Sequence, residues 1–186
     1  MTRFTFVSGD LGLDLAGTVQ HRRSDRRDLL ATPGDLAAWT VAAGLLGAPP
    51  AADADDLAAA KELREAVYRL AIGERPSGAD RETVNRAAAV PPVLVGLAAN
   101  GGVERHGDVR AALSTVARQA IELLGGPGAA RVKECGAEAC TRLYVDTSRA
   151  SSRRWCDMLE CGNRAKAAGF RARHRAPADG GGLSGG

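Results

Sequence analysis

Four cysteines are the residues of this 186-residue chain whose type and spacing could do chemistry. They are Cys135, Cys140, Cys156 and Cys161, spaced C-x4-C-x15-C-x4-C. Two such pairs supply the four thiolates that enclose one tetrahedral Zn²⁺. Because cysteine fills all four ligand positions, none is left open for water or substrate. The spacing therefore predicts one closed, structural zinc site and not a catalytic one.

Two other uses of these cysteines fit the sequence less well. Disulfides form in oxidising compartments, but the N-terminus, MTRFTFVSGDLGLDLAG, lacks the apolar region and cleavage site of a signal peptide. Thiol redox chemistry uses C-x-x-C beside a βαβ pattern, and the chain has neither. We therefore expect a cytoplasmic protein with reduced thiols, in which His21, His106 and His174 are not needed as ligands.

The positive charge of the chain is concentrated around the cysteines. The whole chain has a formal charge of +3, whereas residues 131–175 hold eleven Lys/Arg and five Asp/Glu. Residues 1–130 are slightly acidic, with fourteen basic and sixteen acidic residues. This asymmetry assigns the basic character to the cysteine module and favours an anionic partner such as DNA.

The first 127 residues have the pattern of a mainly helical domain. Alanine dominates the apolar residues and aromatic residues are only 4% of the chain, which favours close-packed helices. A short strand is predicted at residues 4–7 and a first helix at 10–19. Start signals at Thr32, at Asp53 or Asp55, at Asp80 and at Asp108 predict four more helices. Residues 93–98 and 103–106 predict a β-hairpin around an Asn-Gly-Gly turn.

Two stretches of this helical domain carry dense charge. The segment HRRSDRRD, residues 21–28, is an arginine cluster interrupted by Asp25 and Asp28, which predicts a solvated loop. In the helix that begins near Asp53, the apolar residues at three- and four-residue steps face inward. Arg64 and Glu65 are predicted to lie on the opposite, solvated side.

Residues 128–175 are predicted to form a small zinc-binding finger. Its start is placed at Gly125–Gly128, because this is the clearest break in the chain. Short strands at 131–135, 141–145 and 153–156, followed by a helix from Cys161, have the order of a treble clef. So short a module needs zinc for much of its folding free energy, about 10 kcal/mol. Residues 176–186 have little apolar content and are predicted to be disordered. The fold class is therefore mainly α with a small β-hairpin (α+β), with a helical N-terminal domain before the finger.

A specific motif surrounds the second cysteine pair. It reads W-C-x4-C-G-N-R-x-K and consists of Trp155, Cys156, Cys161, Gly162, Asn163, Arg164 and Lys166. This motif resembles the CGNR zinc-finger family. Tyr144 and Asp146 occupy the places where that family carries an aromatic residue and an aspartate before a short polar turn.

The N-terminal part resembles the mostly helical ABATE domain, which usually precedes this finger. The matching features are Leu13–Ala16 followed by Thr18–Val19, and the helix with Leu36 and Trp39 before Gly44–Leu45. Together the two resemblances cover the chain to about Arg175. They imply a stress-induced or general transcription regulator.

Basic residues on both sides of Cys161 predict a surface that contacts DNA phosphates. Asp and Glu are absent from residues 162–178. Arg164, Arg171 and Arg175 recur at steps of seven and four residues, so they fall on one side of a helix. The candidate nucleic-acid contacts are Arg153, Arg154, Arg164, Lys166, Arg171, Arg173 and Arg175.

An alternative stays open, in which the finger has a structural or protein-interaction role and does not touch DNA. In that case Arg164 stabilises the finger by a contact with a carbonyl or Asp146. Asn163 then has a structural role in the turn that carries the zinc ligand Cys161. Trp155 then belongs to the small core of the finger. The helical domain would sense a ligand, with Asp10, Asp14 and Arg26 as polar candidates.

An enzyme is not predicted. The chain lacks the G-x-S-x-G, P-loop, GxGxxG and H-E-x-x-H motifs. It also lacks an apolar run near the ~20 residues of a membrane span. The expected partners are DNA and a second copy bound through the helical domain, with a small-molecule effector as a further expectation.

Overall fold

The computed structural model describes residues 3–73 and 77–174, without the side chains of residues 172 and 173. The helical domain contains α1 (Leu11–Ala16), α2 (Pro33–Ala42), α3 (Ala54–Ile72), α4 (Gly78–Ala89) and α5 (Val109–Gly125). Strands β1 (Val19–Gln20) and β2 (Arg27–Asp28) pair antiparallel, as do β3 (Leu94–Leu97) and β4 (Val103–His106). The finger contains β5 (Val132–Glu134), β6 (Leu143–Val145) and α6 (Asn163–His174).

The predicted helix starts are confirmed where a single side chain caps the chain locally. Thr32 and Asp53 form capping boxes with Asp35 and Asp56, and Asp108 accepts a hydrogen bond from the Ala111 amide. The predicted start at Asp80 is wrong, because Ser77 caps α4 and Asp80 lies in its first turn. There Asp80 is buried and receives hydrogen bonds from Arg69.

The core of the helical domain lies between α1, α3 and α5. Trp39, Leu13, Leu36, Leu63 and Val67 are at most 1% exposed and belong to one apolar cluster. Burial of such side chains is the main driving force for this packing. Helix α1 approaches α5 closely enough that only glycine fits at one position, and that position is occupied by Gly12.

Three predictions near the N-terminus are wrong. Residues 4–7 do not form a strand, and α1 ends at Ala16 so that Val19 enters β1. Residues 21–28 are not a purely solvated loop, because their last two residues form β2 and several of their side chains make ion pairs with α3.

Arg64 faces the interior and not solvent. Its side chain is 2% exposed, and its two terminal nitrogens donate to the Asp28 carboxylate at 2.7 and 3.0 Å. Glu65 accepts from Arg22 at 2.6 Å and from Arg64 at 3.0 Å. A buried charge is retained only when it is paired and hydrogen-bonded, and this network satisfies that condition.

Strand β6 links the helical domain to the finger because its two faces pack differently. Leu143 belongs to the core cluster of the helical domain, with Val145 packed against it. Tyr144 points the other way and is buried with Cys135, Cys156 and Cys161 in a second cluster. The amide of Val145 also donates to the Ser8 carbonyl at 2.8 Å.

Candidate metal centre

The four cysteines converge from two turns of the finger. Cys135 follows β5, and Cys140 lies in the turn that leads to β6. Cys156 precedes a π-helical turn, Met158–Gly162, and Cys161 lies within that turn immediately before α6. Cys161 does not start a regular α-helix as predicted. The π-helical turn instead delivers its sulfur and then passes directly into α6.

The sulfur geometry fits one zinc ion. All four Sγ atoms lie within 4.8 Å of one another. Cys156 Sγ is 3.8 Å from Cys140 Sγ and 3.7 Å from Cys161 Sγ. Zn–S bonds of about 2.3 Å in a tetrahedron place sulfurs about 3.8 Å apart. The four cysteines are therefore a zinc-binding site for one structural Zn²⁺, and because all four donors are thiols it is a closed one.

The contact between two thiols of the site shifts the pKa values of Cys140 and Cys156 in opposite directions. A hydrogen bond from Cys156 lowers the pKa of Cys140 to about 5, and the same contact raises the pKa of Cys156. Burial raises the pKa of Cys161. Zinc requires thiolates, so binding of the metal releases protons from this cluster.

Two arginines contact the sulfurs. Arg164 Nη2 lies 3.3 Å from Cys161 Sγ, and Arg142 Nη1 lies 3.9 Å from Cys156 Sγ. Positive donors of this kind offset the negative charge of a tetrathiolate. Arg164 thus stabilises the site through a cysteine and not through Asp146. The ionic partner of Asp146 is Lys133, whose Nζ lies 2.7 Å from its carboxylate.

The Arg153 side chain is held by contacts with other groups of the protein. Its guanidinium lies 4.5 Å from the centre of the Tyr144 ring. It donates to the carbonyls of Trp155, at 2.8 Å, and of Cys156 and Val7. Trp155 packs against the cysteine cluster, as the structural interpretation of that residue predicts.

Four of the predicted nucleic-acid contacts are exposed, three of them on α6. Arg164, Lys166 and Arg171 are exposed on α6, and Arg154 is exposed beside the Trp155 ring, 5.2 Å from its centre. Arg164 and Arg171 share one side of the helix because they are seven residues apart. The side chain of Arg173, as well as Arg175 and the tail 176–186, lie outside the described residues.

Asn163 has a structural partner. Its Nδ2 donates to the Leu159 carbonyl at 3.1 Å, across the π-helical turn. Close by, Leu159 is 81% exposed and Phe170 is 56% exposed. The Phe170 ring stacks on His174 with 4.0 Å between ring centres. The basic helix therefore also presents apolar and aromatic surface.

Residues 21–28, which we call the arginine loop, hold the finger against the helical domain. The Arg22 amide donates to Thr141 Oγ1 at 3.1 Å. Arg23 pairs with Glu134 of β5, with Nη2 to Oε2 at 2.6 Å. These contacts could not be predicted from the sequence, because the two residues of each pair lie more than a hundred positions apart in the chain.

A cleft of about 610 Å³ lies at this joint. It is lined by both parts of the chain, including His21, Arg142, Leu159, Asn163 and Arg164. The three polar residues proposed for a ligand pocket do not line it. Asp10 caps α1, Asp14 accepts from the Val7 and Ser8 amides, and Arg26 lies 3.8 Å from Glu65.

Comparison with protein families agrees with both parts of this architecture. Residues 9–127 match the ABATE family, described as "Putative stress-induced transcription regulator". The chain belongs to the ABATE family. Residues 131–174 of this ABATE protein match the CGNR zinc finger. A search of curated proteins found no match.

The two families place the ABATE protein among zinc-binding regulators, and neither is an enzyme family. No helix within residues 3–73 and 77–174 is long and apolar enough to cross a membrane.

Proposed function

We propose that this ABATE protein is a zinc-dependent, DNA-binding transcription regulator. The observation that carries the proposal is the position of α6, which begins two residues after the zinc ligand Cys161 and exposes Arg164, Lys166 and Arg171. No acidic residue interrupts residues 162–174. Zinc orders the turn from which this helix extends, so the metal positions the cations that meet the phosphates.

Phosphate contacts give such a helix affinity that depends strongly on salt. Of the seven basic residues predicted from sequence, Arg153 donates to protein carbonyls, which leaves six candidates. If each contacts one phosphate, log affinity falls against log salt with a slope of about −5. Such contacts position a protein on the duplex without reading its sequence.

The two parts of the chain have different roles in this proposal. Residues 128–175 contact DNA in a treble-clef-like finger, and residues 1–127 provide dimerisation or the response to a small-molecule effector. The cleft at the arginine loop supports the second role, since clefts of about 300–1,000 Å³ between structural units are common ligand sites.

The test is fluorescence anisotropy of the zinc-loaded full chain on a random DNA duplex across a salt series. We expect Arg171→Ala to make the slope shallower by about 0.9, because one phosphate contact is lost. The matched control is Arg81→Ala, an exposed arginine on α4 of the helical domain, which should leave the slope unchanged. Binding that is absent, or independent of salt, would refute the proposal.

The second candidate is a protein-interaction finger that does not contact DNA. The exposure of Phe170 on α6 and of Leu159 in the turn before it favours this candidate, because exposed apolar patches mark interaction surfaces. In that case Arg171→Ala and Arg81→Ala behave alike on DNA, and Phe170→Ala weakens capture of a partner.

A further inference from the structure

The β3–β4 hairpin projects from the helical domain without cover. All eight of its strand residues are exposed. Leu94, Val95, Leu97 and Val103 are 59–81% exposed, although they are large and apolar. A two-stranded hairpin with neither face buried is marginally stable in water, and a concentrated apolar surface marks an interaction site.

The two edges of this hairpin differ in charge. Strand β4 carries Glu104, Arg105 and His106 and is protected in the way that natural edge strands are. Strand β3 reads Leu-Val-Gly-Leu and has no charged residue, proline or bulge to block pairing. The β3 edge is therefore the one suited to accept another strand.

The register determines which backbone groups face outward from β3. The Ala98 amide donates to the Gly102 carbonyl at 2.8 Å, so this pair is hydrogen-bonded. Bonded and non-bonded pairs alternate along an antiparallel ladder. Gly96 is therefore bonded to Glu104 of β4, while the N–H and C=O groups of Val95 and Leu97 point away from β4.

We infer that β3 pairs antiparallel with β3 of a second copy of this chain, about a two-fold axis at Gly96. In this register Val95 of each copy lies opposite Leu97 of the other. The outward groups then exchange four hydrogen bonds, two for each Val95–Leu97 pair. Both pairs lie on the face that also carries Val103, so apolar side chains of the two copies meet in one four-stranded sheet. Gly96 of one copy lies opposite Gly96 of the other at the two-fold axis.

This interface deepens the dimerising role proposed for the helical domain and can be tested without DNA. The zinc-loaded full chain should show by light scattering a mass near twice 19.2 kDa. Val95→Pro removes an outward amide of β3, whereas Arg105→Pro removes the outward amide of β4 in the same cross-strand pair. We expect Val95→Pro to raise the dimer dissociation constant roughly 30-fold, because two of the four hydrogen bonds are lost. Arg105→Pro should leave it unchanged.

Cysteine cross-linking tests the register. At a non-bonded antiparallel pair the Cα atoms are about 4.5 Å apart, within the range of a disulfide. A Cβ added at Gly96 meets nothing within 4 Å in its own chain. Gly96→Cys should therefore cross-link the two copies. Glu104→Cys should not, because residue 104 of each copy lies on an outer strand of the four-stranded sheet, too far from residue 104 of the other copy.

Three results would overturn the inference. They are a monomer at every concentration, equal effects of the two proline variants, and a dimer in which both or neither cysteine variants cross-link. Circular dichroism and zinc content of each variant confirm that the helices and the finger remain folded.

Discussion

Replacing Asp28 by asparagine tests how the arginine loop is held on α3. Asp28 is the carboxylate that neutralises Arg64, whose side chain is 2% exposed. The asparagine side chain has nearly the same shape but no charge, so the buried guanidinium loses one of its two ionic partners while the packing is kept. Glu65 still accepts from Arg64 Nε at 3.0 Å, so the loss is partial.

The expected cost follows from this geometry. Removing one partner of a buried ion pair costs about 3–5 kcal/mol. Because Asp28 is 30% exposed and Glu65 remains, we expect the lower end, about 3 kcal/mol. For a protein of this size that corresponds to a fall in melting temperature of about 6–12 °C.

The assay is urea unfolding followed by circular dichroism, with the zinc-loaded protein throughout. Asp25→Asn is the matched control, since Asp25 lies on the same loop but its side chain is 80% exposed. We expect the control to leave the unfolding midpoint unchanged. If Asp28→Asn costs no more than Asp25→Asn, the Arg64–Asp28 pair does not stabilise the domain and the reasoning is wrong.

The pH dependence of the unfolding free energy gives an independent check of the Arg64–Asp28 pair. Burial raises the pKa of Asp28, but hydrogen bonds from Arg64 and the Leu30 amide outweigh it, so that the pKa lies below its usual value. A carboxyl group with a lowered folded pKa stabilises above the unfolded pKa of about 3.9. The difference between wild type and Asp28→Asn should be complete at neutral pH and shrink as pH falls below about 4.

Three further predictions concern the finger and the core. Cys140→Ser should abolish binding of the one zinc per chain and unfold the finger, as measured by metal analysis and near-ultraviolet circular dichroism. Arg164→Ala should weaken zinc binding about tenfold in a chelator competition, because its contact with a ligand sulfur is lost, whereas Arg171→Ala should not change it. Gly12→Ala should cost about 1–3 kcal/mol in urea unfolding, since the new Cβ would lie 2.7 Å from a methyl group of α5; Gly34→Ala, with 3.7 Å of space, is the control. An equal effect of the two glycine substitutions would contradict the close approach of α1 to α5.

Features that depend on neighbours in the chain could be predicted from the sequence. The caps at Thr32, Asp53 and Asp108 work through amides three residues away, and the hairpin follows from its turn. The zinc site was predictable for a related reason, since two C-x4-C pairs in one short segment have the ligand spacing of a four-cysteine zinc site.

Features that depend on distant partners could not be predicted. Arg64 has the position of a surface residue within α3, and only the approach of Asp28 makes burial of its charge tolerable. The strand predicted at residues 153–156 does not form. In the structure these residues are fixed instead by Tyr144 Oη on the Arg153 carbonyl at 2.6 Å and by Asp146 on the Arg153 amide at 3.1 Å.

The opposite burial of neighbouring residues in β6 has a consequence for evolution and for engineering. Leu143 completes the core of one unit while Tyr144 completes the core of the other, so the glycine break at residues 125–128 is not an energetic border. A graft that joins the finger of one relative to the helical domain of another would replace a piece of the recipient's own interior. Compatible pairs must match at β6, and the two parts should therefore be inherited together as one selectable unit.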